Sequence, residues 1–307
     1  MGLFATDAGC LAQMKYVKLP DWDMFTGKGL VIFCDDADPN HCGCVVDIIH
    51  TILPEATIYS GTIGTVKLGG VLTKETISCR ELGITLPFDD FIVKYNVSMI
   101  NNSTDGGQGT TVLPEAVWMK EKIKQYNLIM TGAAGNGSSC PTTQPYSGAC
   151  LVVTSALLKE GKAVASVRSI GENVDFAMFN GFQPGTSFSS PFLLGMAGKL
   201  RCRNPKITQD EVKAYFKSHR EDLLVDGFDI QSGWGLPILG IPDTVIEMQV
   251  DRNVMTVDGI DVILDQPLIF NPKTNRTLMP LRAPIEALGA TVSWNQANKK
   301  VTITKKY

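Results

Sequence analysis

The sequence predicts a doubly wound α/β domain built on a mostly parallel sheet, followed by a small α+β module. Three observations carry this expectation. Short continuous apolar runs alternate with stretches of helical periodicity, polar residues follow the apolar runs at once, and near Asp251 the texture changes to alternating strands. A continuous apolar run is the pattern of a strand buried on both faces of a parallel sheet. Strand, helix, strand at these lengths requires right-handed crossovers, and ligands in such sheets sit at the carboxyl ends of the strands.

Residues 29–34, Gly-Leu-Val-Ile-Phe-Cys, are the first such run, closed by Asp35 and Asp36. In 44–53, Val45, Ile48, Ile49 and Ile52 recur at helical spacing until Pro54 stops them. A strand at 56–59, a helix at 88–95, a strand at 97–101, a helix at 113–126 and a strand at 128–131 continue the alternation. The last of these runs into Gly132-Ala-Ala-Gly-Asn136. Two more strands are expected at 151–155 and 163–167, and a helix at 188–200 after Gly185-Thr186-Ser187. Thr208 with Glu211 three residues on has the capping-box pattern and opens a helix to about His219. The first domain is expected to span 1–248 and the module 249–307. Within the module, hairpins turn at Asp258-Gly259 and at 295–298, with a short helix in 280–289 between them.

Composition narrows the function classes. The 307 residues carry 28 Lys+Arg against 31 Asp+Glu and are 44 % hydrophobic, an ordinary globular balance that excludes a disordered chain. No basic block points to nucleic acid or anionic lipid as the main partner, and the apolar runs are too short for a membrane span. The eight cysteines include no CxxC pair, which argues against a zinc knuckle or a thioredoxin motif. His41, Cys42 and Cys44 are too crowded for one tetrahedral ion, so no metal site is expected. The N-terminus has no basic segment followed by an apolar one, which predicts synthesis in the cytoplasm, with a viral particle or release both open as the final destination.

Three histidines leave few choices for a general base. His50 lies on an apolar helical stripe and His219 at a polar helix end, whereas His41 sits where a strand hands over to a helix, six positions after Asp35. A carboxylate at a strand end can hold one nitrogen of such an imidazole and turn the other toward a nucleophile. Ser187, in Gly185-Thr-Ser-Phe-Ser-Ser-Pro191, is the nucleophile candidate. It opens an apolar helix whose first N–H groups and dipole favour developing negative charge, although a plain N-cap accounts for the motif equally well. Asn136, on a glycine-flanked loop after a buried strand, can donate to an oxyanion. No GxSxG follows a strand, which removes the lipase and esterase class.

These segments, in the order Val31-Ile-Phe-Cys-Asp35, His41-Cys-Gly-Cys-Val-Val-Asp47, Ala133-Ala-Gly-Asn136 and Gly185-Thr-Ser-Phe-Ser-Ser-Pro191, resemble those of the subtilisin-like serine peptidases over roughly residues 20–240. Gln231-Ser-Gly-Trp-Gly235 resembles the family's closing motif, and 97–107 its edge strand. The resemblance implies that Asp35 orients His41, that His41 is base and then acid, and that Ser187 attacks, with Asn136 and the Ser187 N–H at the oxyanion. Ser103, Thr104 and Asp105 would line the peptide as an added strand, and Ala133, Ala134 and Gly135 would form the other wall of the first specificity pocket. No cofactor is expected; the resemblance leaves a structural calcium ion open, since calcium stabilises many relatives, but picks out no ligands here.

Two departures stand out. Five residues separate Asp35 from His41 where the family inserts a longer loop, which leaves Asp36 and Asp38 open as alternatives to Asp35. Cys42 and Cys44 replace the usual glycine and second histidine, and a thiol beside the imidazole suggests redox sensitivity.

The module resembles the stalk domain named after the N-terminal domain of copper amine oxidases. The pattern is carried by Val257-Asp-Gly, Arg276-Thr-Leu-Met-Pro-Leu-Arg282, Glu286-Ala-Leu-Gly-Ala290 and Val292-Ser-Trp294. It has neither His nor Cys, so it implies protein or surface contact rather than copper. The expected function is an endopeptidase that processes a specific partner or itself; the alternative is an inactive scaffold within a viral or surface assembly.

Overall fold

The apolar run at 31–35 forms β1 (Val31–Asp35) at the middle of a nine-stranded sheet ordered β4 (Ile84–Pro87), β3 (Val71–Cys79), β2 (Thr57–Leu68), β1, β5 (Met99–Asn102), β6 (Ile129–Ala133), β7 (Leu151–Lys159) and β8 (Lys162–Ser166), with β9 (Phe176–Phe179) also paired to β7; β10 (Arg220–Glu221) and β11 (Leu236–Pro237) form a separate antiparallel pair. This computed structural model describes residues 6–68, 71–104, 114–137, 144–166, 168–181, 183–240, 246–257, 260–288, 290–296 and 299–305. The central strands β2 (Thr57–Leu68), β1, β5 (Met99–Asn102), β6 (Ile129–Ala133), β7 (Leu151–Lys159) and β9 (Phe176–Phe179) are parallel. Helices α1 (Ala8–Tyr16), α2 (Pro39–Ile52), α5 (Thr186–Arg203) and α6 (Gln209–Ser218) contribute to one hydrophobic cluster, and α3 (Phe88–Tyr95) and α4 (Pro114–Tyr126) to the other.

Side chains alternate between these two layers with the period of two that a strand imposes. On β1, Ile32 and Cys34 join the cluster of α2 and α5 while Phe33 joins that of α3 and α4. On β5, Met99 goes with the first cluster and Ile100 with the second. The same parity governs the polar residues at the strand ends.

The antiparallel part is larger than the sequence pattern indicated. β2 runs on past Tyr59 to Leu68 and pairs with β3 (Val71–Cys79), which pairs with β4 (Ile84–Pro87). This stretch is rich in Thr, Ile and Val but lacks the continuous apolar run of a strand covered on both faces. β8 (Lys162–Ser166) returns antiparallel to β7 through Glu160 and Gly161, both at positive φ (48° and 75°), the conformation that a two-residue hairpin turn demands.

Helix α5 is buried around its whole circumference, from Thr186 through Arg201. It packs against α2 through two glycines. A Cβ on Gly195 would stand 2.7 Å from Ile52 Cδ1, and one on Gly198 would stand 2.4 Å from Leu53 Cδ1. Gly195→Leu is therefore expected to cost about 1–3 kcal/mol by overpacking, read as a lower urea midpoint with an unchanged m-value.

The chain divides into two compact units, Met1–Ile241 and Pro242–Tyr307, a few residues before the boundary expected at 248/249. The second unit holds a three-stranded antiparallel sheet of β12 (Ile246–Met248), β13 (Val254–Val257) and β14 (Ile260–Ile263). It also contains a β15 (Ile269–Asn271) and β16 (Arg276–Leu278) pair, α7 (Arg282–Ala287), and a hairpin of β17 (Ala290–Asn295) and β18 (Lys300–Lys305). The turn expected at 258–259 lies outside the described residues. Among the described residues no helix is long and apolar enough to cross a membrane.

Candidate active site

Asp35 and Asp36 are neighbours in sequence but lie on opposite sides of the sheet. Asp36 follows the even positions 32 and 34 toward α2, where its Oδ2 lies 2.5 Å from His41 Nδ1. Its Oδ1 accepts from the Asp38 N–H at 3.0 Å, and its own N–H donates to the Gly61 carbonyl at 2.8 Å. Asp35 turns the other way with Phe33. It accepts from the Ile63 N–H at 2.9 Å and from Asn102 Nδ2 at 2.6 Å, and burial pushes its carboxyl up to about 7. The expectation that Asp35 holds the imidazole is thereby corrected, because strand alternation assigns that contact to Asp36. Asp38 is occupied differently again, as the N-cap of α2 accepting from the Asn40 N–H.

His41 stands in the first turn of α2, which begins at Pro39 rather than at residue 44. Proline suits that position because its missing N–H would have no partner there. The imidazole is about a third exposed, and its ring centroid lies 5.2 Å from that of Phe188, the residue after Ser187. The first turns of α2 and α5 thus meet with His41 beside the serine segment.

Ser187 is the second residue of α5, among the N–H groups that lack a partner within the helix. It is 8 % exposed, and its hydroxyl donates to the Ser103 carbonyl at 3.5 Å. Below it runs a buried polar chain. Ser103 Oγ donates to the Ser187 carbonyl at 3.0 Å and accepts from Asn101 Nδ2 at 2.8 Å, while Asn101 Oδ1 accepts from Ser190 Oγ at 2.8 Å and Thr131 Oγ1 at 3.3 Å. Asn101 on β5, Ser103 just beyond it and Thr131 on β6 share one parity and face Ser187 and Ser190 of α5. The fully buried network ties the serine turn to two central strands.

Asn136 is oriented by its neighbour. The Thr186 N–H donates to Asn136 Oδ1 at 3.0 Å, so the amide's Nδ2 faces elsewhere and keeps its donors. Thr186 Oγ1 also accepts from the Gly135 N–H and donates to the Gly135 carbonyl, both at 3.1 Å. Gly185 has a φ of 143°, in the region that favours glycine, and a Cβ there would touch Asn136 Oδ1 at 3.5 Å.

Of the expected peptide-lining residues, Ser103 is buried and Thr104 is half-buried, accepting from Asn102 Nδ2 at 3.0 Å. Asp105 lies outside the described residues. Ala133, Ala134 and Gly135 are buried in sequence beside the exposed Asn136, with Gln144 Nε2 donating to the Ala133 carbonyl at 3.0 Å.

Cys42 is 1 % exposed, and burial followed by the charge of Asp36 pushes its thiol up, against Arg80 and Ser60. It packs as a small hydrophobe, without the exposed thiolate that redox sensing requires. Among the described residues no group of three or more His, Cys, Asp or Glu gathers as a metal site.

Comparison with known proteins gives the class of the fold. Fervidolysin from Fervidobacterium pennivorans, a keratinolytic enzyme related to subtilisin, superposes with a TM-score of 0.54 at 14% identity, covering 78% of this chain and 47% of that one. A lanthipeptide protease gives 0.54 at 13%, covering 77% and 95%. MycP1 from Mycobacterium smegmatis gives 0.53 at 15%, covering 74% and 82%. The chain therefore carries the subtilisin-like protease fold. In sequence it is similar to the minor extracellular protease Epr of Bacillus subtilis (strain 168), 24% identical over 201 residues, which are 61% of this chain and 29% of that protein. The chain thus spans under a third of that relative's length. Residues 256–307 match the model of the copper amine oxidase N-terminal domain.

Proposed function

We propose that the first unit is a serine endopeptidase that cleaves a polypeptide through an acyl-enzyme, with the C-terminal module as its contact to a specific partner or surface. The observation that carries this reading is the 2.5 Å contact of Asp36 Oδ2 with His41 Nδ1, at a helix start that packs against the serine segment. A carboxylate on Nδ1 keeps the ring proton there and leaves the Nε2 lone pair as general base. Ser187 gives its proton to Nε2 as its oxygen attacks the scissile carbonyl. His41 then returns that proton to the leaving amine, and water repeats the sequence to release the acyl group. Asn136 Nδ2 and the Ser187 N–H donate to the carbonyl oxygen as charge develops on it. Ser103, Thr104 and Asp105 hold one side of the extended peptide and Ala133, Ala134 and Gly135 the other.

A non-catalytic scaffold is favoured by one observation, the burial of Ser187 with its hydroxyl directed at the Ser103 carbonyl. A fluorophosphonate probe read by intact mass separates the two. One adduct that vanishes in Ser187→Ala is expected; a folded wild-type chain that takes no adduct would leave the scaffold.

A further inference from the structure

The connection between β1 and α2 is three residues, Asp36, Ala37 and Asp38, and it carries the imidazole's partner. A link this short has no packing core of its own, so the position of the Asp36 carboxylate depends on what grips its backbone. The Asp36 N–H is held by the Gly61 carbonyl, and among the described residues one side chain from elsewhere holds the carbonyls. Arg80, in the turn between β3 and β4, donates from Nη2 to the Asp36 carbonyl at 2.9 Å and to the Ala37 carbonyl at 3.4 Å.

Arg80 is itself held. Its Nη1 donates to Ser60 Oγ at 2.8 Å, and its backbone N–H donates to the Ser60 carbonyl at 2.8 Å. Ser60 lies on β2 opposite Cys34, two residues from the connection, and it bonds through both Oγ and its N–H to the Glu81 carboxylate. Burial pushes the Glu81 carboxyl up, but the bonds from Ser60 outweigh it and hold the group below its usual range. An ionised Glu81 can only accept, so Ser60 spends its one proton there and must offer Arg80 a lone pair. That charge fixes the direction of the Ser60 hydroxyl, the one group between Glu81 and the Asp36 carbonyl that can both donate and accept.

We propose that Arg80 is a positioning residue for the Asp36–His41 pair, with Ser60 and Glu81 fixing its guanidinium so that it clamps the Asp36-Ala37 backbone. This rests on the reading of that pair given above. The fork geometry matters because one guanidinium spans Ser60 and two carbonyls, which the point charge of lysine does not. Arg80 is also solvent-exposed, so a free guanidinium ion can reach the space its side chain would leave.

The test uses the full chain with two readouts: the rate of fluorophosphonate labelling at Ser187, and the downfield NMR resonance of the His41 Nδ1 proton in its bond to Asp36. Arg80→Ala, checked for folding by circular dichroism, is expected to lose the resonance and to label roughly 10- to 100-fold more slowly. Low-millimolar guanidinium should recover part of both in Arg80→Ala and neither in Asp36→Asn, and Arg80→Lys should stay slow. A folded Arg80→Ala chain that keeps the resonance and labels at the wild-type rate overturns the proposal, as does a loss that guanidinium leaves untouched. A wild-type chain that shows the resonance but takes no label sinks the peptidase reading alone, and the resonance in Arg80→Ala then decides the role of Arg80.

Discussion

Asp36→Asn is expected to lower turnover by about 10⁴-fold, whereas Asp35→Asn should leave it within a few-fold of wild type. The asparagine amide would meet Nδ1 as a donor, which moves the ring proton to Nε2 and removes the base without disturbing the fold. Its Oδ1 can still accept from the Asp38 N–H as the carboxylate does. Asp35 stands on the other side of the sheet from the Asp36–His41 pair, held by the Ile63 N–H and Asn102 Nδ2. Its effect is on stability instead. Because its folded-state value is about 7 against an ordinary 3.8, the folded chain holds a proton that the unfolded chain has released between about pH 4 and 7. Stability from this group therefore falls as pH rises through that window and is level above it. Asp35→Asn should flatten this slope in urea titrations at several pH values. Equal losses of activity in the two asparagine variants would refute the assignment.

The pair illustrates what a linear reading can and cannot reach. Strands, helices and the order of the site segments are legible because each apolar run and each helical stripe is local. The choice between Asp35 and Asp36 is also legible in principle, since counting by twos from Ile32 and Cys34 lands on Asp36. A motif match fixed to the end of the strand misses it. The β2–β3–β4 extension escapes because Thr, Lys, Ser and Glu interrupt its apolar residues, which weakens the hydrophobic signal. Arg80 escapes for a different reason. It meets Asp36 from 44 residues away, after a helical crossover and one strand reversal, and nothing in its local sequence marks it. The bond from the Thr186 N–H to Asn136 spans 50 residues and is equally invisible, although each motif alone was recognisable.

That bond makes the second large effect specific enough to dissect. Asn136→Ala is expected to lower kcat by roughly 10²–10³-fold with little change in KM, because an oxyanion donor acts on charge that exists only in the transition state. The alanine variant alone confounds two losses, the Nδ2 donor and the Oδ1 acceptor that holds Thr186. Asn136→Asp separates them. Its carboxylate still accepts from the Thr186 N–H, so the start of α5 keeps its anchor and the melting temperature should stay nearer wild type than in Asn136→Ala. It offers no donor and sets a negative charge against the oxyanion, so kcat should fall at least as far. Steady-state kinetics on a chromogenic peptide, beside thermal melts of both variants, reads the difference. A raised KM with unchanged kcat in Asn136→Asp would mean that the side chain binds the substrate's ground state, and the donor role would pass to the backbone N–H of Ser187 alone.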